Sequence, residues 1–202
     1  MRIVAGKLRG RTIAAPPGDL VRPTSDRVRE AVFNVLTHGG AAQSGAPIEG
    51  ARVLDAFAGS GALGLETLSR GAAFATFIDA APDAIAAIRQ NADALGVARA
   101  CRVIRGDAIQ PPRADAPCSL VFLDPPYRSG LAANALKKLA EAGWIADGAT
   151  IVVELGGPFV APEGFTLTDE RRYGRTRIAF LRREIAYSKS PPPPTPSHER
   201  RG

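Results

Sequence analysis

The tetrapeptide Asp124-Pro125-Pro126-Tyr127 directly follows the apolar run Ser119-Leu120-Val121-Phe122-Leu123. A carboxylate just past a buried strand, two prolines that fix φ and remove two N–H donors, and a flat aromatic ring make a stiff loop rich in acceptors. That combination suits one chemical problem. An exocyclic amine on a nucleobase is a poor nucleophile, because its lone pair is delocalised into the ring. Acceptors on its two N–H groups localise that lone pair and aim it, while an aromatic ring stacks on the base and holds it in line. Asp124 and Tyr127 are therefore the candidate catalytic residues, with Asp124 orienting the amine and taking its proton. Pro125 and Pro126 shape the loop. The plain alternative is a rigid surface turn, which the position after an apolar strand argues against. An intrinsically activated methyl donor needs no metal, and none is expected: Cys101 and Cys118 form no CxxC pair, and His38 and His198 lie far apart.

The second feature able to do chemistry is Asp55-Ala56-Phe57-Ala58-Gly59-Ser60-Gly61-Ala62-Leu63-Gly64. It follows a strand and opens a helix, and its glycines let backbone approach a ligand closely. Asp79 ends the next strand 20 residues after Gly59, where an acid accepts hydrogen bonds from ribose hydroxyls. As written, this pattern also satisfies the dinucleotide fingerprint, so it leaves NAD and S-adenosylmethionine both open. Three features favour the methyl donor. Asp55 suits a cofactor bearing an ammonium and a sulfonium, and Gly106-Asp107-Ala108 places an acid where it can address an adenine amino group. The third is the Asp124 loop, for which hydride transfer has no use. The candidate cofactor contacts are Asp55, Ala58, Gly59, Gly61, Asp79, Asp107 and Ala108. Loop capping at strand ends is the plain alternative for Asp55 and Asp107.

From Ala51 onward, strands alternate with helices: strands near 52–57, 74–78, 101–105, 119–123 and 150–155, with helices near 63–70, 82–95 and 131–142. Such alternation predicts a parallel sheet covered on both faces. The rhythm breaks at the end, where 165–173 and 176–182 flank Tyr173-Gly174-Arg175 as a hairpin. The expected fold is therefore α/β: a Rossmann-like, doubly wound, mostly parallel sheet closed by an antiparallel hairpin. Ahead of it, residues 2–17 read as a hairpin carrying Lys7, Arg9 and Arg11. Thr24-Ser25-Asp26 caps a helix with an apolar stripe at Val28, Ala31, Val32, Val35 and Leu36, and Gly39-Gly40 stops it. The domain reading is a basic extension over 1–40, a small-residue linker over 41–50, a catalytic domain over 51–185 and a proline-rich, disordered tail over 186–202.

The 202 residues suit one globular domain with a small appendage. The net charge of +6 is unevenly placed: residues 1–49 carry +3, 50–168 carry −2 and 169–202 carry +5. A nearly neutral core with basic ends fits flanking phosphate-binding surfaces. Lys7, Arg9, Arg11, Arg22 and Arg29 are the candidate RNA contacts, with solvated surface arginine as the plain alternative. No apolar run is long enough for a membrane span, and the start turns polar before a signal-peptide core could form. A cytoplasmic location and a monomeric state are expected.

These motifs resemble the bacterial 16S ribosomal RNA (guanine-N2)-methyltransferases of the RsmD type. The resemblance runs from about Arg2 to Arg183. It rests on residues 2–11, on Asp55 to Glu66, on Asp124 to Tyr127, and on Tyr173-Gly174-Arg175-Thr176. Its most distinctive part is Arg22-Pro23-Thr24-Ser25-Asp26 leading into Arg29-Glu30-Ala31-Val32-Phe33-Asn34. The resemblance implies a class I methyltransferase fold with a seven-stranded sheet, and S-adenosylmethionine as donor with S-adenosylhomocysteine as product. It implies a guanine N2 amine of 16S rRNA as acceptor, within the small ribosomal subunit or an assembly intermediate. Asp55, Gly59, Gly61, Asp79 and Asp107 would then line the cofactor site, and Asp124 and Tyr127 would carry the chemistry. Adenine-N6 methylation of DNA or RNA, and more remotely NAD-dependent oxidoreduction, are the alternatives. The lack of a DNA target-recognition region favours structured RNA.

Overall fold

A computed structural model of the chain describes residues 1–16, 26–38, 48–126, 130–174 and 176–185. Five strands run parallel: β1 (Arg52–Ala56), β2 (Phe74–Asp79), β3 (Cys101–Arg105), β4 (Cys118–Leu123) and β5 (Ile145–Leu155). Two antiparallel strands, β6 (Phe165–Tyr173) and β7 (Thr176–Arg183), complete the sheet through β7 against β5. The seven-stranded order is β3-β2-β1-β4-β5-β7-β6. This is the doubly wound, mostly parallel sheet closed by an antiparallel hairpin that the alternation predicts, with the seven strands that the resemblance implies. β5 begins earlier than the apolar run at Thr150 suggests, because the ladder with β4 jumps from Cys118↔Ile145 to Leu120↔Thr150. Gly148, at φ +69°, lies in the extra length.

Helices α1 (Asp26–His38), α2 (Ala62–Ser69), α3 (Pro82–Leu95) and α4 (Leu131–Glu141) supply the layers. α3 starts with Pro82 and ends at Gly96 in the left-handed region, as the proline–glycine punctuation predicts. The sheet separates two apolar clusters. On one face Val53, Phe77, Phe122 and Val152 pack with Leu65 of α2 and Ile88 of α3. On the other, Leu54, Val121, Ile151 and Trp144 pack with Leu136 and Leu139 of α4.

The N-terminal hairpin forms as expected, with Ile3 N–H donating to Arg11 O and Gly10 N–H to Ile3 O, each at 2.9 Å. Its Ile3 and Ile13 are buried in the first cluster beside Val32, Phe33 and Leu36 of α1. The ring of Phe33 lies 5.8 Å from that of Phe122 in β4, and the Arg70 guanidinium lies over the Phe33 ring at 4.4 Å. The hairpin and α1 thus share their core with the sheet, and α1 packs two residues upstream of Asp124.

The α1 stripe is rotated from its expected position. Arg29, Val32, Phe33 and Leu36 are the buried residues of α1, while Val28 and Val35 are only partly buried. The reason is Arg29, which a hydrophobic pattern assigns to solvent and which folding places inside with charged partners. The expected Thr24-Ser25 cap, the Gly39-Gly40 stop, most of the 41–50 linker, Arg175 and the tail from 186 lie outside the described residues.

Candidate active site

In open α/β sheets, ligands bind beyond the carboxyl ends of the strands where the strand order reverses. Here the chain winds outward from β1 to β3, then returns to β4 beside β1. The switch therefore lies between β1 and β4, whose carboxyl ends carry the glycine loop and the Asp124 loop.

On the β1 side, Asp55 is 1% exposed and accepts the Gly64 N–H at 2.9 Å. It supplies the N-terminus of α2 with the carboxylate its own cap, Gly61, lacks. Burial pushes the Asp55 carboxyl up to about 7, the Gly64 hydrogen bond opposes this, and Asp79 adds to it. Gly59 sits at φ +55° and Gly61 at φ +77°, conformations that favour glycine. At Gly64 a Cβ would lie 2.3 Å from Cε1 of Phe77, so the third glycine seats α2 against β2. Asp79 accepts Gly59 N–H through Oδ2 at 2.8 Å and Ala81 N–H through Oδ1 at 2.9 Å. Each oxygen keeps further lone-pair capacity for a ligand. Ala58 is buried and accepts the Gly61 N–H, closing the turn.

Further along the edge, Asp107 is exposed and accepts the Ile109 N–H at 2.9 Å, a local turn. Ala108 is packed in the second core cluster. Of the two, only Asp107 presents a side chain to a ligand.

On the β4 side, Asp124 is half-buried, Pro125 buried and Pro126 exposed. The Asp124 carboxyl is pushed up to about 8, first by burial and then by the negative charges of Glu154 and Asp55. In its ionised form, which gains population as pH rises through about 8, such a group accepts hydrogen bonds and can receive a proton. Tyr127 lies outside the described residues.

The basic candidates separate. Lys7 and Arg9 are exposed at the hairpin turn. Arg11 is exposed but donates through Nη2 to Ala94 O at the end of α3, a favourable place for a cation. Arg22 lies outside the described residues. Arg29 is corrected: it is fully buried, donates through Nη2 to Asp26 Oδ1 at 2.7 Å and to Arg2 O at 2.5 Å, and so cannot reach a phosphate.

Four residues escape a sequence reading. Glu66, fully buried, accepts the N–H groups of Val4 and Ala5 at 2.8 and 2.9 Å and Arg70 Nε at 2.9 Å. Asn91 links Ala14 to the glycine loop by donating to Ala14 O and Ser60 O while accepting Ala14 N–H. Phe57 is the one non-glycine residue at positive φ (59°) among the described residues, a strained backbone within the glycine loop. Glu154 of β5 is near enough for its negative charge to act on Asp124. Apart from the i, i+4 spacing of Glu66 and Arg70, no spacing rule signals these roles, because each acts through a partner distant in sequence or through backbone geometry.

Comparison with known proteins places this arrangement. The family model described as conserved hypothetical protein 95 matches residues 1–182. Ribosomal RNA small subunit methyltransferase D of Escherichia coli (strain K12) is 39% identical over 189 residues, covering 91% of this chain and 90% of that protein. The solved structure of yhhF from Escherichia coli superposes with a TM-score of 0.78 at 38% identity, covering 92% of this chain and 98% of that one. An RNA methyltransferase from Salinibacter ruber, solved with S-adenosyl-L-homocysteine, shares the fold at 15% identity. Its TM-score is 0.62, with 83% of this chain and 97% of that one covered.

Proposed function

This chain belongs to the conserved hypothetical protein 95 family, with ribosomal RNA small subunit methyltransferase D among its relatives, and on that premise we propose that it methylates the N2 amine of a guanine in 16S rRNA with S-adenosylmethionine as donor. The observation that carries this reading is the half-buried Asp124 on its proline-stiffened loop, facing the glycine loop across the switch between β1 and β4.

The residues on the β1 side fit the cofactor. Asp55 is a buried carboxyl whose raised proton affinity a facing cation would relieve. The left-handed glycines open backbone to close approach, and Asp79 stands where ribose hydroxyls would lie. When bound, the cofactor supplies a methyl group activated by an adjacent sulfonium. Asp55, Ala58, Gly59, Gly61 and Asp79 hold and orient it, with Asp107 toward the adenine. Asp124 accepts an N–H of the target amine and so turns the nitrogen lone pair toward the methyl carbon. On transfer, the methyl–sulfur bond would break as the N–C bond formed, S-adenosylhomocysteine would leave, and the proton lost by the nitrogen would pass to Asp124 Oδ. Tyr127 stacks on the base.

Tritiated methyl donor offered to small ribosomal subunits, naked 16S rRNA and duplex DNA tests the reading. Label is expected in rRNA, mapped by mass spectrometry to the guanine N2. Label confined to DNA, or mapped to adenine N6, would overturn it. The subunit-or-rRNA comparison also identifies the form of the substrate, and the action is assigned to the cytoplasm.

We assign Lys7 and Arg9, exposed on the hairpin turn that docks at the C-terminal end of α2, to phosphate contacts. Replacing both with alanine should weaken rRNA binding and flatten its salt dependence by roughly 0.7–0.9 in log–log slope for each phosphate no longer neutralised. Affinity for S-adenosylhomocysteine should stay unchanged. An unaltered slope, measured by filter binding across a salt series, would remove the hairpin from the RNA interface.

A further inference from the structure

The β4–β5 ladder ends at Leu123↔Val153, one residue short of Asp124 and Glu154. Adjacent strands lie about 4.8 Å apart, and matched positions in a parallel pair project to one face. Asp124 and Glu154 therefore leave the sheet edge abreast. Glu154 also lines a groove of about 450 Å³, with Pro125 and Pro126 on one wall and Gly157, Phe159 and Val160 on the other. That volume lies within the roughly 300–1,000 Å³ typical of small-ligand sites. The far wall is anchored, since Arg177 Nη1 donates to Gly157 O at 2.8 Å while its Nη2 pairs with Glu170. Val160, at 84% exposure, presents an apolar side chain at the mouth.

We propose that Glu154 is a specificity-determining residue: its carboxylate accepts the ring N1–H of the target base while Asp124 accepts the neighbouring N2–H. The proposal rests on the guanine-N2 reading above and deepens it. An ionised carboxylate only accepts hydrogen bonds. Among the four RNA bases, guanine alone presents two adjacent donors, N1–H and N2–H, on its pairing edge. Adenine and cytosine place a lone pair beside their amine, and that lone pair would face the Glu154 carboxylate. Uracil has a single ring donor between two carbonyls. Two acidic side chains side by side thus match guanine and repel the other amine-bearing bases, while the prolines and Phe159 offer apolar contact to the base. Reading an unstacked base along this edge is the usual mode for RNA. The like charge of Glu154 also raises the proton affinity of Asp124.

Small subunits reconstituted with guanine or 2-aminopurine at the mapped target nucleotide test this. 2-Aminopurine keeps the exocyclic amine but carries a lone pair at N1. The wild type is expected to prefer guanine in kcat/KM by on the order of 10–100-fold, the value of a mismatched polar pair. Glu154→Gln should lose activity on guanine and compress the preference below about fivefold, because its amide can donate to N1. S-Adenosylhomocysteine affinity and melting temperature report that this variant is folded. Equal wild-type rates on the two substrates, or an unchanged preference in Glu154→Gln, would overturn the assignment. If Glu154→Gln does not fold, the wild-type preference alone decides. Wild-type label at an atom other than guanine N2 would instead overturn the underlying function, a distinct result.

Discussion

Asp124→Asn should lower kcat by about 10²–10⁴-fold, the range for removing a group that accepts a proton in the transition state. S-Adenosylhomocysteine should still bind, because the proposed cofactor contacts sit on the β1 side of the crevice. Asparagine keeps the size of the side chain and one acceptor oxygen but cannot take the proton. Single-turnover kinetics, with isothermal titration for the cofactor analogue, would check both halves. A variant that turns over normally would remove Asp124 from the chemistry. The pH dependence follows from the same group. Its carboxyl is raised from 3.8 to about 8, so in the free enzyme the acceptor form gains population as pH rises through about 8 and is lost below it. kcat/KM should therefore climb from pH 6 to pH 9 and level off. Glu154→Gln removes one of the charges that raise Asp124, and should move that limb to lower pH. A limb that stays in place would detach Glu154 from Asp124.

The largest effect on stability is expected at Glu66. Its carboxylate holds the backbone of Val4 and Ala5, pairs with Arg70 at 2.9 Å and faces Arg29 Nε at 3.9 Å. Glu66→Ala would leave the fully buried Arg29 with, among the described residues, only the half-exposed Asp26 as acidic partner, and two backbone N–H groups without the acceptor they have now. Breaking a buried ion pair from one side typically costs about 3–5 kcal/mol. For a domain of this size that lowers Tm by roughly 2–4 °C per kcal/mol. The hairpin carrying Lys7 and Arg9 should undock first, visible as faster hydrogen exchange at Val4, Ala5 and Leu8. Combining Glu66→Ala with Arg29→Met should recover part of the loss, since it removes the orphaned charge. A double variant as unstable as the sum of the single ones would show that Glu66 and Arg29 are not coupled. Gly6 makes the same point through sterics: its Cβ would lie 2.0 Å from Ser69 O, so the turn must press backbone to backbone on α2.

The strand–helix alternation, the glycine loop and the emergence of Asp124 directly after β4 were all legible in the linear order of residues. Each is a local pattern: apolar runs such as Leu120 to Leu123 make buried strands, and Gly59, Gly61 and Gly64 permit a turn and a tight helix seat. A carboxylate directly after a strand must emerge at the sheet edge. The same local logic located Asp55, Asp79 and Asp124, because strand ends in a parallel sheet converge on one side. It failed for Arg29, which pattern alone assigned to the surface and to RNA. A buried arginine is tolerable only beside acidic partners, and one of these, Glu66, is 37 residues away in the chain.

What the sequence determined by itself was the fold class and which carboxylates emerge at the carboxyl ends of the parallel strands, since both follow from short-range stereochemistry. What only the tertiary structure decided was which charges are buried and which carboxylates stand together. Glu66 became the anchor of the N-terminal hairpin, and Glu154 the neighbour of Asp124, through packing of elements far apart in the chain. The physical reason is that a charged side chain's role depends on its solvation and its partners, and neither exists until the sheet, α1 and the hairpin have closed on one another.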